Sequence, residues 1–306
     1  MMVTAPSGNI LYGFLRRPDP EIYPCERYPA VVLVPGGINP GRMEIFSQEA
    51  RSLAGAGMVV VTFNAEGRVS ENAPFDKRSE GTEDYNGQRH QDGLCALVKK
   101  VMDLPYVISE NVGLKSKSYG ITMAAGCAGR NPQLPIKYIV DAEGPPNSYV
   151  TCHEPRAVMG DYEKFQAVYE IFGHLSAWRN PEPENVSFWK EREAERFIGD
   201  YRGRYLRLQA EWDHAQPPSS ELDVDLYYLP EGPPEVGLPW WQGKHAMDMV
   251  NAAVAGGVPW VRMNLPEQGN PVNETFGLDH FPTFLPGFLA DQPWAVRAVL
   301  EMARME

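Results

Sequence analysis

Short unbroken apolar runs alternate along the chain with longer stretches whose apolar residues recur at helical spacing. Asn9–Arg17 and Tyr28–Val34 read as strands, and the second carries PAVVLV, the continuous apolar run of a strand buried on both faces. It stops at Pro35-Gly36-Gly37. An amphipathic helix is predicted over Met43–Ala56, with Gly57 as its stop, followed by the apolar, β-branched run Met58–Phe63. This is a strand–helix–strand crossover. The alternation then continues with a helix over Gln91–Met102, a strand over Val112–Lys115, a small-residue helix over Gly120–Gly129 and a strand over Ile136–Val140. Further on, Tyr205–Ala210 and Trp260–Asn264 read as strands, and Lys244–Ala255 and Pro293–Ala303 as helices. Strands alternating with helices predict an α/β fold: a mostly parallel sheet covered by helices on both faces.

Two stretches break the alternation. Glu143–Arg202 is aromatic and partly helical, and is read as a cap inserted over the carboxyl edge of the sheet. The expected organisation is a core domain of residues 1–142 and 203–306 with an inserted cap of residues 143–202. Pro217–Gly243 is a long loop rich in proline and acidic residues, and long loops in compact domains are often functional.

Composition narrows the function classes. A chain of 306 residues with 43% hydrophobic content buries a large core, and a formal net charge of -12 argues against nucleic acid or an anionic membrane surface as partner. No run approaches the roughly 18 to 20 apolar residues of a membrane span, and the amino terminus lacks a leader pattern, so a cytoplasmic location is expected. Cys25, Cys95, Cys127 and Cys152 form no CxxC pair and are expected to be reduced and partly buried. Histidines and carboxylates are too scattered for a metal site, and neither GxGxxG nor GxxxxGK[ST] is present. No cofactor is expected.

The segment from Val112 to Gly126 combines a strand, a tight turn and a helix of small residues, with Ser118 at the turn. A nucleophile elbow has this form, because a sharp strand-to-helix turn strains the nucleophile's backbone and needs small neighbours two positions away. The pattern here is Ser116-x-Ser118-x-Gly120, with serine in place of the first glycine. A serine here could instead simply cap the helix.

From the LYGFLRRP opening through VVLVPGG, VVVTFNAEGRVSE and KSKSYGIT to LRLQAEWDHAQPP, the chain resembles α/β-hydrolases of the dienelactone hydrolase and acyl-peptidase-like branch. The resemblance implies Ser118 as nucleophile and Asp213, in the turn after a late strand, as acid, with Glu211 and Glu143 as rivals. The base is expected after the last strand, where His280 stands, with His245 and His214 as alternatives. The Ser, acid, His order is that of the fold. The oxyanion donors would be the backbone N–H groups of Tyr119 and Gly37, or Ile38 if the turn is shifted by one. His90 and Arg68 are read as structural, and His153 and His174 as cap residues within reach of substrate. Trp178, Trp189, Trp240 and Trp241 line an apolar pocket in this reading, although cap packing explains them nearly as well. The expected activity is cofactor-free hydrolysis of a small carboxylic ester, with self-association left open. An amide or peptide hydrolase, or a non-catalytic ligand-binding protein of the same fold, are the alternatives.

Overall fold

The computed structural model describes residues 1–37, 48–69, 78–147, 174, 182–212, 240–261, 275–276, 279–280, 283–288 and 294–306, with backbone alone at 210–212, 240–245, 275–276, 279–280 and 283–288. Strands β1 (Met2–Thr4), β2 (Ile10–Arg16), β3 (Tyr28–Val34), β4 (Val59–Phe63), β5 (Val107–Lys117), β6 (Ile136–Ala142) and β7 (Arg204–Trp212) lie in the order β1-β2-β4-β3-β5-β6-β7. β1 and β2 pair antiparallel, as do β2 and β4; every pairing from β4 through β3, β5 and β6 to β7 is parallel.

The predicted two-face burial of β3 follows from the pleat. Ala30, Val32 and Val34 enter one hydrophobic cluster with Val59, Val61 and Phe63, while Val31 and Leu33 enter a second with Val60. Helices α2 (Gln88–Met102), α3 (Gly120–Arg130) and α6 (Trp240–Ala255) contribute to the first cluster, and α1 (Gln48–Gly55) and α7 (Trp294–Arg304) to the second. α3 is buried from Gly120 to Gly129, which explains its small, apolar composition: a helix enclosed on every side has no polar face to present.

Within the stretch read as a cap, the described part holds α4 (Pro183–Lys190) and α5 (Glu195–Ile198). α5 packs against α3 and α6, and Ala194, Ile198 and Tyr201 join the first cluster. Residues 148–173 and 175–181 lie outside the described residues.

Two sequence expectations are corrected. Cys95 on α2 and Cys127 on α3 form a disulfide (S–S 2.08 Å) across 32 residues of sequence. Their approach is set by the packing of the two helices, which sequence spacing does not encode. Cys25 is a free thiol and is exposed rather than partly buried, and Cys152 lies outside the described residues.

The second correction concerns the last strand, expected over Trp260–Asn264. Its described part, β8, is Trp260–Val261, paired with Tyr205 and Leu206 of β7. β11 (Thr283–Phe288) then pairs with Leu208–Trp212 of the same strand. β6 occupies the other side of β7 at both Tyr205 and Leu208, so β8 and β11 are two pieces of one lane. Between them lies the hairpin of β9 (Thr275–Phe276) and β10 (Asp279–His280). Among the described residues, no helix is long and apolar enough to cross a membrane.

Candidate active site

Strand order reverses at β3: the chain leaves it for β4 on one side and returns to β5 on the other. In open α/β sheets the crevice at the carboxyl ends of such strands is where ligands bind. Two turns meet there, Pro35–Gly37 after β3 and Ser118 after β5.

Ser118 has φ +50°, the left-handed region that side chains seldom adopt. Its N–H donates to the Ala142 carbonyl at 2.8 Å, and its own carbonyl accepts from Ile121 N–H at 3.1 Å. The end of β6 and the first turn of α3 therefore both hold the strained residue. Ser118 is partly exposed, while Ser116 and Tyr119 on either side are buried. An isolated cap serine would not need this backbone, so the geometry favours the elbow reading over simple capping.

The two turns are pressed together. A Cβ on Gly120 would lie 2.6 Å from the Pro35 carbonyl oxygen, and one on Gly36 would lie 2.7 Å from that of Lys117. Only glycine fits at either contact. Gly37 (φ +70°) is exposed, with open space about it among the described residues, and Tyr119 stands at the N-cap of α3, where the positive end of the helix dipole favours negative charge. Ser116 sits between Val34 and Asp141 in the sheet register, and its buried hydroxyl has no hydrogen-bond partner among the described residues. That position asks for small size and makes no use of the hydroxyl.

Glu143, weighed as a rival acid, is a second strained residue (φ +54°), buried just past β6 with its N–H donating to the Leu208 carbonyl at 3.1 Å. The backbone beside it is held by a buried ion pair. Arg207 Nη1 donates to Asp141 Oδ2 at 2.8 Å and to the Gly144 carbonyl at 2.5 Å, and Gly144 N–H donates to Asp141 Oδ1 at 3.2 Å.

Asp213 lies outside the described residues, one position past the end of β7; Ile38, His153, Trp178 and His214 are outside them as well. Glu211 is on β7, and Trp240, Trp241 and His245 are on the first turns of α6. Trp189 is fully buried and edge-on to Phe188. His174 stacks on Phe188 at 4.2 Å. His280 is on β10, before β11 rather than beyond a finished last strand. The register row Lys117, Ala142, Leu208, Thr283 runs straight across the sheet. With strands about 4.8 Å apart, Thr283 is roughly 14 Å from the residue preceding Ser118, and His280 precedes Thr283 closely in sequence.

Arg68 is the brace that the sequence reading made it. Fully buried, it donates to Glu83 Oε1 at 2.8 Å and to Asn86 Oδ1 at 2.8 Å. His90 is structural too: Nε2 lies 3.0 Å from the Glu66 carbonyl, and Nδ1 accepts the Asn86 N–H at 3.2 Å. The Asp84 N–H also points at Nε2, at 3.2 Å, so backbone groups surround the ring at both nitrogens. Burial, and then the Arg68 guanidinium, push its pKa down from 6.5 to about 4. In the window between these values the unfolded chain takes up a proton that the folded chain refuses, so stability is full above it and falls as pH is lowered through it. The drop is on the order of 3 kcal/mol. Urea titrations at several pH values across that window are expected to show the slope, and His90→Gln to flatten it; an unchanged slope in the variant would assign it to other groups.

No family model matches the chain, and no curated protein matches its sequence. Solved structures do. A Mycobacterium tuberculosis puromycin-hydrolyzing peptidase is 16% identical with a TM-score of 0.60, over 99% of this chain and 38% of that one. Pyrococcus horikoshii acylaminoacyl peptidase is 14% identical with a TM-score of 0.55, over 85% and 35%. DcsB, in complex with its substrate analogue, is 14% identical with a TM-score of 0.55, over 99% and 97%. The chain has the α/β-hydrolase fold. The α/β-hydrolase likeness is one of architecture at these identities, and the chain spans about a third of the length of the peptidase chains it matches. Among the described residues, no group of three His, Cys, Asp or Glu is gathered as a metal site within this α/β-hydrolase fold.

Proposed function

We propose that the protein is a serine hydrolase that cleaves small carboxylic esters through an acyl-enzyme, with Ser118 as nucleophile. The observation that carries the reading is the strained Ser118 (φ +50°), partly exposed at the carboxyl edge and wedged against the Pro35–Gly37 turn. Strain of this kind costs roughly 1–3 kcal/mol and persists where the surrounding structure holds it for function. Asp213 and His280 complete the triad in this proposal. His280 takes the hydroxyl proton as Ser118 Oγ attacks the ester carbonyl, and Asp213 holds the imidazole and stabilises the imidazolium. The N–H groups of Tyr119 and Gly37 receive the oxyanion. The proton passes to the departing alcohol, and water then attacks the acyl-enzyme to release the acid. Similarity to chains named as peptidases supports amide or acyl-peptide cleavage as a second reading of the same site.

The test uses a short p-nitrophenyl ester, an acyl-amino-acid p-nitroanilide and a fluorophosphonate probe. Wild type is expected to turn over the ester in preference to the anilide and to be labelled by the probe. Ser118→Ala is expected to lose the label and at least about 10³-fold of the turnover. Anilide cleavage outpacing ester cleavage would favour the second reading. Absence of both turnover and Ser118-dependent labelling would leave a ligand-binding role for this fold.

A further inference from the structure

Beyond the triad and its two oxyanion donors, one side chain reaches the elbow from a different part of the chain. Asn86 is fully buried in the segment that leads into α2, far in sequence from Ser118. Its Nδ2 donates to the Tyr119 carbonyl at 2.7 Å, and its Oδ1 accepts from Arg68 Nη2 at 2.8 Å. The preceding residue makes a second contact to the same target: Tyr119 Oη donates to the Tyr85 carbonyl at 3.1 Å. Tyr119 is thus held at its main chain and at the tip of its ring by two consecutive residues.

Those two residues are themselves strained. Tyr85 has φ +48° and Asn86 φ +61°, so two of the four non-glycine residues with positive φ among those described stand together here, and a third is Ser118. Asparagine tolerates the left-handed region better than most side chains. The surroundings hold the pair: Asn86 N–H donates to His90 Nδ1 at 3.2 Å, Gln91 Nε2 donates to the Asn86 carbonyl at 3.0 Å, and Tyr85 N–H donates to Glu83 Oε1 at 2.8 Å. Arg68 in turn clamps Glu83 and Asn86 in one guanidinium fork. A backbone paying strain energy at two successive residues to deliver one amide group to one carbonyl is an arrangement that packing alone does not require.

We propose that Asn86 is a positioning residue for catalysis, holding the Tyr119 main chain so that its N–H is aimed at the developing oxyanion. The inference rests on the serine-hydrolase reading of Ser118. The Tyr119 carbonyl also accepts the Thr122 N–H of α3 at 3.3 Å. Without Asn86 the carbonyl retains that long helical bond but loses the amide that fixes the Tyr119–Gly120 peptide, which meets the peptide carrying the Tyr119 N–H at the Tyr119 Cα. Donor aim matters in the transition state, where the oxygen becomes charged, more than in the ground state. The effect therefore belongs in kcat.

The variant that isolates this contact is Asn86→Asp. It keeps the size and the acceptor facing Arg68, and exchanges the donating amide for an oxygen that repels the Tyr119 carbonyl. Asn86→Gly, which removes the side chain and accepts positive φ without strain, serves as the second variant. Steady-state kinetics on the p-nitrophenyl ester, and rates of labelling by the fluorophosphonate, are measured well below each variant's melting temperature. Both variants are expected to lose about tenfold or more in kcat and in labelling rate, short of the roughly 10²–10³ seen when a donor itself is removed, with KM within about threefold of wild type. A lowered melting temperature with wild-type kcat in the folded variants would assign Asn86 a structural role and overturn the proposal. Equal losses in KM and kcat/KM at constant kcat would overturn it too, by moving the residue to substrate binding. A wild type with no Ser118-dependent labelling overturns the hydrolase reading and this inference with it, whereas labelled wild type with unaffected variants overturns this inference alone.

Discussion

Replacing Arg207 with methionine is expected to lower the unfolding free energy by about 3–5 kcal/mol, the cost of leaving a buried charge without its partner. Asp141 and Arg207 have no side-chain exposure, and their Nη1–Oδ2 contact is 2.8 Å. Tyr205 Oη also donates to Asp141 Oδ2 at 2.7 Å, and Arg207 Nη2 donates to Gln209 Oε1 at 2.7 Å. The guanidinium is thus the cation of a buried network that links β6 to β7. Truncating it strands a carboxylate whose remaining donors are a phenol and the Gly144 N–H. The double variant Arg207→Met, Asp141→Leu removes both charges and is expected to recover more than half of the loss, since a buried pair is often no more stabilising than apolar residues of similar volume. Urea denaturation at neutral pH measures both. A single-variant loss below about 1 kcal/mol, or no recovery in the double, would mean that water reaches the pair.

Gly120→Ala is the second large effect. The added methyl would lie 2.6 Å from the Pro35 carbonyl oxygen and 2.9 Å from that of Val34. Both obstacles are backbone, at the end of a strand buried on both faces, so the Ser118 turn must move away from the Pro35–Gly37 turn. A misplacement of about 1 Å is worth roughly 10² in rate, so labelling and turnover are expected to fall by at least that factor. Gly55→Ala is the control: a methyl at the end of α1 meets nothing within 4 Å among the described residues. It is expected to leave turnover unchanged and to raise stability by a few tenths to 1 kcal/mol. If Gly120→Ala labels at the wild-type rate, the contact between the two turns has no part in reactivity.

Periodicity carried most of the sheet. β3, β4 and β6 were legible because a strand buried on both faces is apolar over most of its length, and α3 because a helix packed on all sides must be small. The pieces that escaped lack that signature. The first half of β5 contains Ser109, Glu110 and Asn111, and β11 contains Pro286 and Gly287. Polar residues, proline and glycine are tolerated where a strand is an edge or runs out of the core, and they read as turn. The elbow was visible at Ser118 because its steric demands fall on residues two positions away. Asn86 escaped the sequence, because its partner Tyr119 is distant along the chain and meets it only in the folded structure.

By itself the sequence determined the α/β alternation, the strand-turn-helix at Ser118 and the glycines on which a close approach depends, since each is a local steric or periodic requirement written into neighbouring residues. Only the tertiary structure decided that Cys95 meets Cys127, that the last lane of the sheet is made in two pieces with His280 before the second, and that Arg68, Asn86 and Tyr119 form one chain of contacts to the elbow. Those are distances between residues far apart in the chain, and they exist only once the helices and strands have packed.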